Sequence, residues 1–193
     1  MAGRAARLVI PGVAAAALVL VTVLAVQNGR LRTEIADLRH RSIRPQAGQF
    51  VPAFVAPTIT GDTVKIVSGD TATRQVLPVF TATCRYCEAS VPAWNDLTHR
   101  VALEGGTVLG VSLDSLDQTR LYARQHRLEY PVIRFPSEAY RRMYHANTVP
   151  ITMVIDGGGR VIYARMGVLE IDAAKDSVVA AVRWHPTGGG VRR

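Results

Sequence analysis

The stretch TATCRYCEAS, residues 81–90, contains the only two cysteines of this 193-residue chain, Cys84 and Cys87. The apolar run RQVLPVFTA, Arg74–Ala82, comes directly before them and has the length of a buried central strand. A helical pattern begins at the cysteines and continues to about Leu103. We therefore expect the two thiols to lie where a strand gives way to a helix.

This placement predicts different roles for the two thiols. Unpaired backbone N–H groups and the macrodipole at a helix N-terminus favour negative charge, so the thiolate of Cys84 is favoured and Cys84 is the predicted nucleophile. Cys87 comes back after one helical turn, close enough to form a disulfide, and is predicted to resolve a mixed disulfide. Arg85 adds positive charge, and Tyr86 offers an apolar surface on which a substrate can stack.

A metal site and a pair of inert core cysteines are the alternatives for the same motif. A structural zinc site needs about four ligands, usually two such cysteine pairs or one pair plus histidines. The chain has no second pair, and its five histidines lack the close spacing of a zinc site. The strand–CxxC–helix context disfavours inert thiols. The sequence thus predicts no metal and no cofactor other than a redox-active Cys84–Cys87 disulfide.

The composition is typical of a folded domain, with 48% hydrophobic and 20% charged residues. The formal net charge of +8 raises the question of a nucleic-acid partner. No nucleic-acid-binding motif accompanies the arginines, and few aromatic residues lie between them. Basic residues on both sides of an apolar segment are instead typical of a membrane surface, so no nucleic-acid partner is predicted.

That apolar segment is LVIPGVAAAALVLVTVLAV, Leu8–Val26, which carries no charge. As a helix it would be about 28 Å long, close to the hydrocarbon thickness of a bilayer. We predict a membrane anchor within residues 1–28. A cleaved signal peptide is the alternative, since Arg4 and Arg7 suit its basic start, but the apolar run exceeds the usual core of about 7 to 15 residues.

The orientation of this anchor depends on two conflicting signals. More arginines follow the apolar segment than precede it, which by the positive-inside rule would place the C-terminal domain in the cytoplasm. The rule is weak for long translocated domains, and a disulfide-exchanging pair favours the oxidising side. We predict a single-pass protein of the cell membrane with an extracytoplasmic catalytic domain.

Three further segments follow the anchor. Residues 29–48 are predicted to be a helical stalk and linker, with a dimer contact along its leucines as an alternative, and RPQAG ends it. Residues 49–185 alternate strands with helices and close on a hairpin and a helix, which predicts a layered α/β domain. Residues 186–193 are predicted to be a flexible tail.

Within the folded domain the element between the cysteine helix and the next helix is TVLGVSLD, Thr107–Asp114, predicted as one buried strand. Ser115 is a predicted cap for the helix that follows. The apolar stripe expected to bury that helix consists of Leu116, Leu121, Tyr122 and Leu128. Near the C-terminus, Ile151–Asp156 and Arg160–Gly167 are predicted to form a hairpin.

From about Gln49 to Arg183 the chain resembles the thioredoxin fold, and more narrowly the TlpA/ResA group of membrane-anchored thiol–disulfide oxidoreductases. The first similarity is a strand, Cys-Arg-Tyr-Cys and a helix with Pro92 inside it. The second is TVPIT, residues 148–152, which looks like the family's cis-proline loop. The third is the 66-residue separation between Cys84 and Pro150, which leaves room for the group's insert.

The resemblance implies a fold class: a three-layer α/β/α thioredoxin-like domain with an extra α/β insert, preceded by one N-terminal transmembrane helix. It implies Cys84 and Cys87 as catalytic residues, and Val149, Pro150, Arg85 and Tyr86 as substrate-binding residues. The backbone of Val149, before a cis proline, would pair with an extended substrate chain. The implied partners are protein thiols or disulfides and a membrane electron donor, a setting that includes cytochrome c maturation.

The chain also departs from the family pattern near the cysteines. Thr83 stands where the family usually has tryptophan, and Pro78 stands where thioredoxins place a buried acid. Glu88 and Ser90 replace the arginine and glutamate that commonly follow the second cysteine. Without a buried carboxylate, the proton of Cys87 must move through water or another group, and Glu88 is a candidate.

Two other functions remain as alternatives. Thr81 lies three residues before Cys84, as a threonine does in peroxiredoxins, where Cys84 would attack peroxide and Cys87 would resolve a sulfenic acid. The proline that such a motif needs at position 77 is Leu77, with Pro78 one place off. The other alternative is a non-catalytic, membrane-tethered binding module whose cysteines form a structural disulfide.

Overall fold

The computed structural model describes residues 17–35, 44–170 and 172–183. The chain divides into two compact units, Met1–Ser42 and Ile43–Arg193. In the first unit, residues 17–35 form a helix, α1. None of the helices within the described ranges is long and apolar enough to cross a membrane. Residues 8–16 of the predicted span, residues 36–43 of the predicted stalk and the predicted tail, residues 186–193, lie outside those ranges.

The second unit contains a six-stranded mixed sheet and a separate two-stranded sheet, β1–β2. The strands of the unit are β1 (Phe54–Pro57), β2 (Thr63–Ile66), β3 (Arg74–Phe80), β4 (Thr107–Val108), β5 (Gly110–Ser112), β6 (Val132–Arg134), β7 (Ile151–Asp156) and β8 (Val161–Met166). Its helices are α2 (Arg85–Leu103), α3 (Leu116–Gln125), α4 (Glu138–Met143) and α5 (Asp172–Arg183). The alternation of strands and helices confirms the predicted layered α/β domain.

The order of the sheet is β6-β5-β3-β7-β8, with β4 also paired to β3. Strands β3 to β6 run parallel, whereas β7 runs antiparallel to β3 and β8 runs antiparallel to β7. The strand that precedes the cysteines is therefore central, as predicted. Because β7 runs opposite to β3, the start of β7 lies beside the end of β3, where the cysteines follow.

The two faces of β3 belong to two apolar clusters. Val76 and Phe80 pack in the cluster that α2, α3 and α5 cover. Leu77 and Val79 pack in the cluster on the other face. That second face is covered by the antiparallel β1–β2 hairpin and the short helix α4, so its layer contains both strand and helix. Burial on both faces explains why β3 reads as a continuous apolar run.

The segment predicted as one strand, residues 107–114, is two short strands. Its ladder with β3 holds at Val76–Val108 and again at Val79–Val111, with the same offset on both sides of the break. Leu109 donates its N–H to the Val76 carbonyl at 2.9 Å, and the next bond of a regular ladder would come from the N–H of residue 78. Residue 78 is proline and has no N–H, so the ladder is interrupted there.

The predicted stripe of α3 was wrong in part. Leu116 and Leu121 are 37% and 49% exposed, while Thr119 and Tyr122 are buried. The Thr119 hydroxyl is satisfied by the Ser112 hydroxyl at 2.7 Å and the Ser115 carbonyl at 2.8 Å, which lets a polar residue take the inner face. The predicted cap is confirmed, because Ser115 forms a capping box with Gln118.

Candidate functional site

Cys84 occupies the N-cap position of α2. Its backbone is extended, and its sulfur accepts a hydrogen bond from the Cys87 N–H at 3.3 Å. The Glu88 N–H bonds the Cys84 carbonyl at 3.1 Å, so the first turn of the helix is anchored on this residue. The side chain is half-buried. A sulfur that is both reachable and hydrogen-bonded by a helix N-terminus is suited to carry negative charge.

Cys87 lies one turn further along and is fully buried in the cluster beneath α2. Both cysteines are in the thiol form. Burial raises the pKa of the Cys87 thiol, and the hydrogen bond with Cys84 raises that pKa further. Cys87 is therefore a neutral thiol when reduced. This agrees with the prediction that Cys84 is the nucleophile of the pair.

The loop before β7 approaches the cysteines from the other side. The Val149–Pro150 peptide bond is cis, as the sequence predicts. The Val149 carbonyl oxygen lies 4.0 Å from Cys84 Sγ. The sheet register brings this loop close to Cys84, because Ile151, the first residue of β7, pairs with Val79 near the end of β3.

A buried hydrogen bond ties the cysteine helix to this loop. The indole N–H of Trp94 donates to the Thr152 hydroxyl at 2.9 Å, and both side chains are buried. Thr152 lies opposite Pro78 in the sheet register. The strand position where thioredoxins place an acid is thus occupied by a buried proline. Beside it lie two neutral side chains, Trp94 and Thr152, which are hydrogen-bonded to each other.

Arg85 and Tyr86 lie beside Cys84 at the start of α2, and both are exposed. The Arg85 guanidinium donates to the Tyr86 hydroxyl at 2.7 Å and lies 4.7 Å from the centre of its ring. Tyr86 keeps 50% of its surface exposed. The pair offers a cation and an aromatic face next to the predicted nucleophile, as the sequence suggests.

The residues that depart from the family pattern have structural roles of their own. Ser90 is buried, donates to the Tyr86 carbonyl at 2.9 Å and accepts the Leu169 N–H at 3.1 Å. It therefore joins α2 to the segment after β8. Glu88, the sequence's candidate proton acceptor, is exposed at the surface of α2.

Sequence reasoning missed Asp114. This residue follows β5 at the edge of the sheet where β3 ends, and its carboxylate accepts the Ala82 N–H at 2.5 Å. The bond fixes the loop two residues before Cys84. The pKa of Cys87 is raised mainly by burial and by Cys84, and the negative charge of Asp114 makes a smaller contribution in the same direction. An acid at the end of the next predicted buried strand, Thr107–Asp114, was the available signal.

Two tyrosines beneath the cysteines were also missed as site residues. The sequence predicts Tyr122 only as part of the apolar stripe of a helix, and Tyr130 only as part of a short extended segment. Both lie in the same apolar cluster as Cys87. Burial raises the pKa of both hydroxyls, and the charge of a Cys87 thiolate would raise each further. Within the described ranges, no group of three or more His, Cys, Asp or Glu residues could hold a metal ion.

The sequence pattern of the AhpC/TSA family matches residues 47–164, more than half of the chain. The chain belongs to the AhpC/TSA family. It is 26% identical over 124 residues to the thiol-disulfide oxidoreductase ResA of Bacillus thuringiensis (strain Al Hakam), a match that covers 63% of this chain and 70% of that protein. The matched segment includes both cysteines and their helix.

The fold of the chain is similar to that of solved redox proteins. A protein described as the thiol:disulfide interchange protein DsbE from Chlorobium tepidum matches with a TM-score of 0.60 and 26% identity, over 72% of this chain and 99% of its own. Peroxidoxin BcpB from Mycobacterium tuberculosis matches with a TM-score of 0.58 and 21% identity, over 72% of this chain and 97% of its own. The fold alone therefore does not separate disulfide exchange from peroxide chemistry.

These comparisons confirm the predicted resemblance to TlpA/ResA-type redoxins and the thioredoxin-like α/β fold. They also support the predicted enzyme class, a redox enzyme related to thiol–disulfide oxidoreductases.

Proposed function

We propose that this protein exchanges disulfides with protein substrates through Cys84 and Cys87. The observation that carries the proposal is the asymmetry of the pair. Cys84 is half-buried at a helix N-cap with the Val149 carbonyl 4.0 Å from its sulfur, while Cys87 is fully buried behind it. One sulfur can meet a substrate and the other cannot, which is the arrangement that a two-step exchange needs.

In the reducing direction, the Cys84 thiolate attacks one sulfur of a substrate disulfide and expels the other as a thiolate. Cys87 then loses its proton, attacks Cys84 Sγ and forms the Cys84–Cys87 disulfide. The second substrate sulfur leaves as a thiolate and takes up a proton. Two electrons pass from the cysteine pair to the substrate, and the reverse sequence oxidises a dithiol.

The surface around Cys84 suits an extended polypeptide. The backbone of Val149 borders the nucleophile, and a chain laid along it can form strand-like hydrogen bonds with the loop. The exposed Arg85–Tyr86 pair would contact side chains of that chain from the helix side. Recognition through backbone and a stacking surface would accept many sequences around the substrate cysteines.

The proposed setting is the extracytoplasmic side of the cell membrane, periplasmic or outer face, with residues 8–26 as anchor and a membrane electron donor that regenerates the dithiol. The charge-free apolar segment supports anchoring, and the TlpA/ResA resemblance supports a role in cytochrome c maturation. Membrane fractionation, followed by protease treatment of cells from which any outer membrane has been removed, tests it. Full-length protein that stays in the soluble fraction, or is protected from external protease, would contradict this setting.

Insulin reduction tests the exchange reaction itself. We expect turnover by the wild-type protein with dithiothreitol as reductant, and none by Cys84→Ser. If both single cysteine variants retained full activity, the mechanism would be wrong.

Peroxide reduction is a second candidate, favoured by the position of Thr81. Its backbone carbonyl accepts the Cys84 N–H at 3.3 Å, so the threonine is held beside the nucleophile. A Cys84 thiolate would attack peroxide to give a sulfenic acid and hydroxide, and Cys87 would condense with it, releasing water. Hydrogen peroxide consumption faster than insulin reduction under the same conditions would favour this function instead.

A further inference from the structure

The exchange reaction needs a group that accepts the proton of the Cys87 thiol. Cys87 must become a thiolate before it can attack Cys84, yet it is a buried neutral thiol. The position on β3 where thioredoxins place a buried acid is Pro78, which cannot accept a proton. The following inference rests on the proposed function and concerns the groups that carry this proton.

Two hydroxyl groups lie buried in the same cluster as Cys87. Tyr122 and Tyr130 are 3% and 5% exposed, and among the described residues their hydroxyls have no hydrogen-bond partner. A buried hydroxyl without a partner is costly, and such groups in proteins are commonly satisfied by an ordered water. Two unpartnered hydroxyls in one cluster point to such a water between them and the thiol.

Packing fixes both tyrosine rings. Tyr122, on α3, stacks on Phe80 with ring centres 5.1 Å apart, and Phe80 is the last residue of the cysteine strand. The Tyr130 ring lies against Gly110 of β5, where an added Cβ would be 2.7 Å from Tyr130 Cε2. The absence of a side chain at Gly110 thus makes the space that the Tyr130 ring occupies. Both rings are held by the strands that carry the site.

We propose that Tyr122 and Tyr130 hold an ordered water against the sulfur of Cys87 and pass the proton of that thiol outward. The water accepts the proton of Cys87 while a tyrosine hydroxyl accepts one from the water and donates its own onward. No hydroxyl gains or loses a proton overall. The proton ends in solvent or on the departing substrate thiolate, so charge and atoms balance.

Several elements contribute titratable groups near Cys87 or near the two tyrosines. They are Cys84 and Glu88 on α2, Asp114 after β5, Tyr122 and His126 on α3, and Tyr130 before β6. His126 is partly exposed, and its ring centre lies 4.2 Å from that of Tyr122. Burial keeps both tyrosines neutral by raising the pKa of their hydroxyls, as a relay requires.

The two carboxylates are less suited to accept the proton directly. Asp114 holds the Ala82 N–H at 2.5 Å, and Glu88 is exposed on the outer side of α2. A carboxylate that protonates would also lose much of its bond to the loop. The hydroxyls have no competing partner among the described residues.

Ellman's reagent separates the two steps in the full-length reduced protein. Attack by Cys84 releases one coloured thiolate, and attack by Cys87 on the resulting mixed disulfide releases a second. Stopped-flow absorbance measures both rates as a function of pH for wild type, Tyr122→Phe, Tyr130→Phe and the double variant. Cys87→Ser identifies the second phase, because that variant must lose it.

We expect the first phase to be unchanged and the second to slow at least about tenfold near neutral pH in the double variant. The second-phase pH midpoint should also rise, because the thiolate loses hydrogen-bond donors. Tyr144→Phe is the matched control: its hydroxyl is bonded to the Pro52 carbonyl at 2.7 Å in the other cluster, and its second phase should match wild type.

Second-phase rates and pH midpoints equal to wild type in the double variant would overturn the relay. Denaturant titration of each variant shows whether it is folded. The outcome for the proposed function is separate: if wild-type protein shows no second phase and reduces no insulin, disulfide exchange itself is wrong.

Discussion

Trp94 donates its indole N–H to the hydroxyl of Thr152 at 2.9 Å, between the cysteine helix and the strand that follows the cis proline. Both side chains are buried. The bond lies between the two segments whose relative position determines the 4.0 Å approach of the Val149 carbonyl to Cys84 Sγ. A single neutral hydrogen bond therefore links the stability of the domain to the geometry of its candidate site.

Thr152→Val tests that link, because it removes the acceptor while keeping the shape of the side chain. The buried indole N–H would be left without a partner, so we expect a loss of about 1–3 kcal/mol in the free energy of unfolding. Insulin reduction should fall as well, since the loop can then shift relative to Cys84. Denaturant titration measures the first effect.

Thr98→Val is the matched control, because the Thr98 hydroxyl bonds only the Trp94 carbonyl one turn earlier on the same helix. We expect a smaller loss of stability and unchanged insulin reduction. A double-mutant cycle with Trp94→Phe isolates the pair. A coupling free energy near zero would show that the bond stabilises nothing.

Cys87→Ser should convert the enzyme into a trap. Cys84 can still attack a substrate disulfide, but no second thiol remains to release the product, so mixed disulfides accumulate. Non-reducing electrophoresis with insulin as substrate detects them as larger species that vanish on reduction. Cys84→Ser, in which the buried thiol of Cys87 cannot reach the substrate, should form none. Equal trapping by both variants would contradict the assigned roles.

The stability of the reduced protein should depend on the pH through Cys87. Its pKa is raised above the ordinary value of 9.0 mainly by burial, so the folded state holds a proton that the unfolded state loses above that pH. The contribution of Cys87 is therefore fully present below pH 9 and declines as the pH rises further. The slope attributable to one proton is at most about 1.4 kcal/mol per pH unit.

Comparison with reduced Cys87→Ala isolates this slope. The buried tyrosines, whose pKa values are also raised by burial, contribute equally to both proteins and cancel. Denaturant titrations at several pH values between about 8 and 11 give the difference. If the two proteins lost stability in parallel over that range, Cys87 would not be a buried neutral thiol.

The sequence predicts the site where its pattern is local. An apolar run, a CxxC motif and a helix stop are short-range signals, and they place β3 in the centre of the sheet and Cys84 at the start of α2. The Val149–Pro150 loop was predicted through the family resemblance. The exposed Arg85 and Tyr86 follow from their position in the first turn.

The remaining features depend on which residues become neighbours. Pro78 interrupts the ladder because β4 and β5 happen to pair on the side where its N–H is missing. The inner face of α3 is set by the hydroxyl of Ser112 as much as by apolarity, so Leu116 and Leu121 are exposed. Such long-range pairings, which also bring Asp114 to the cysteine loop, leave little trace in a single sequence.

Asp114→Asn separates the two effects of that carboxylate on the site. The amide oxygen can still accept the Ala82 N–H, so stability should change little, but the negative charge near Cys87 is lost. Since that charge raises the pKa of Cys87, we expect the pKa to fall. Thiolate absorbance titration in a Cys84→Ser background measures it. Asp117→Asn, the same change at an exposed position in the first turn of α3, is the control. A pKa of Cys87 that moved equally in both variants, or rose in Asp114→Asn, would show that the carboxylate positions the loop without acting on the buried thiol.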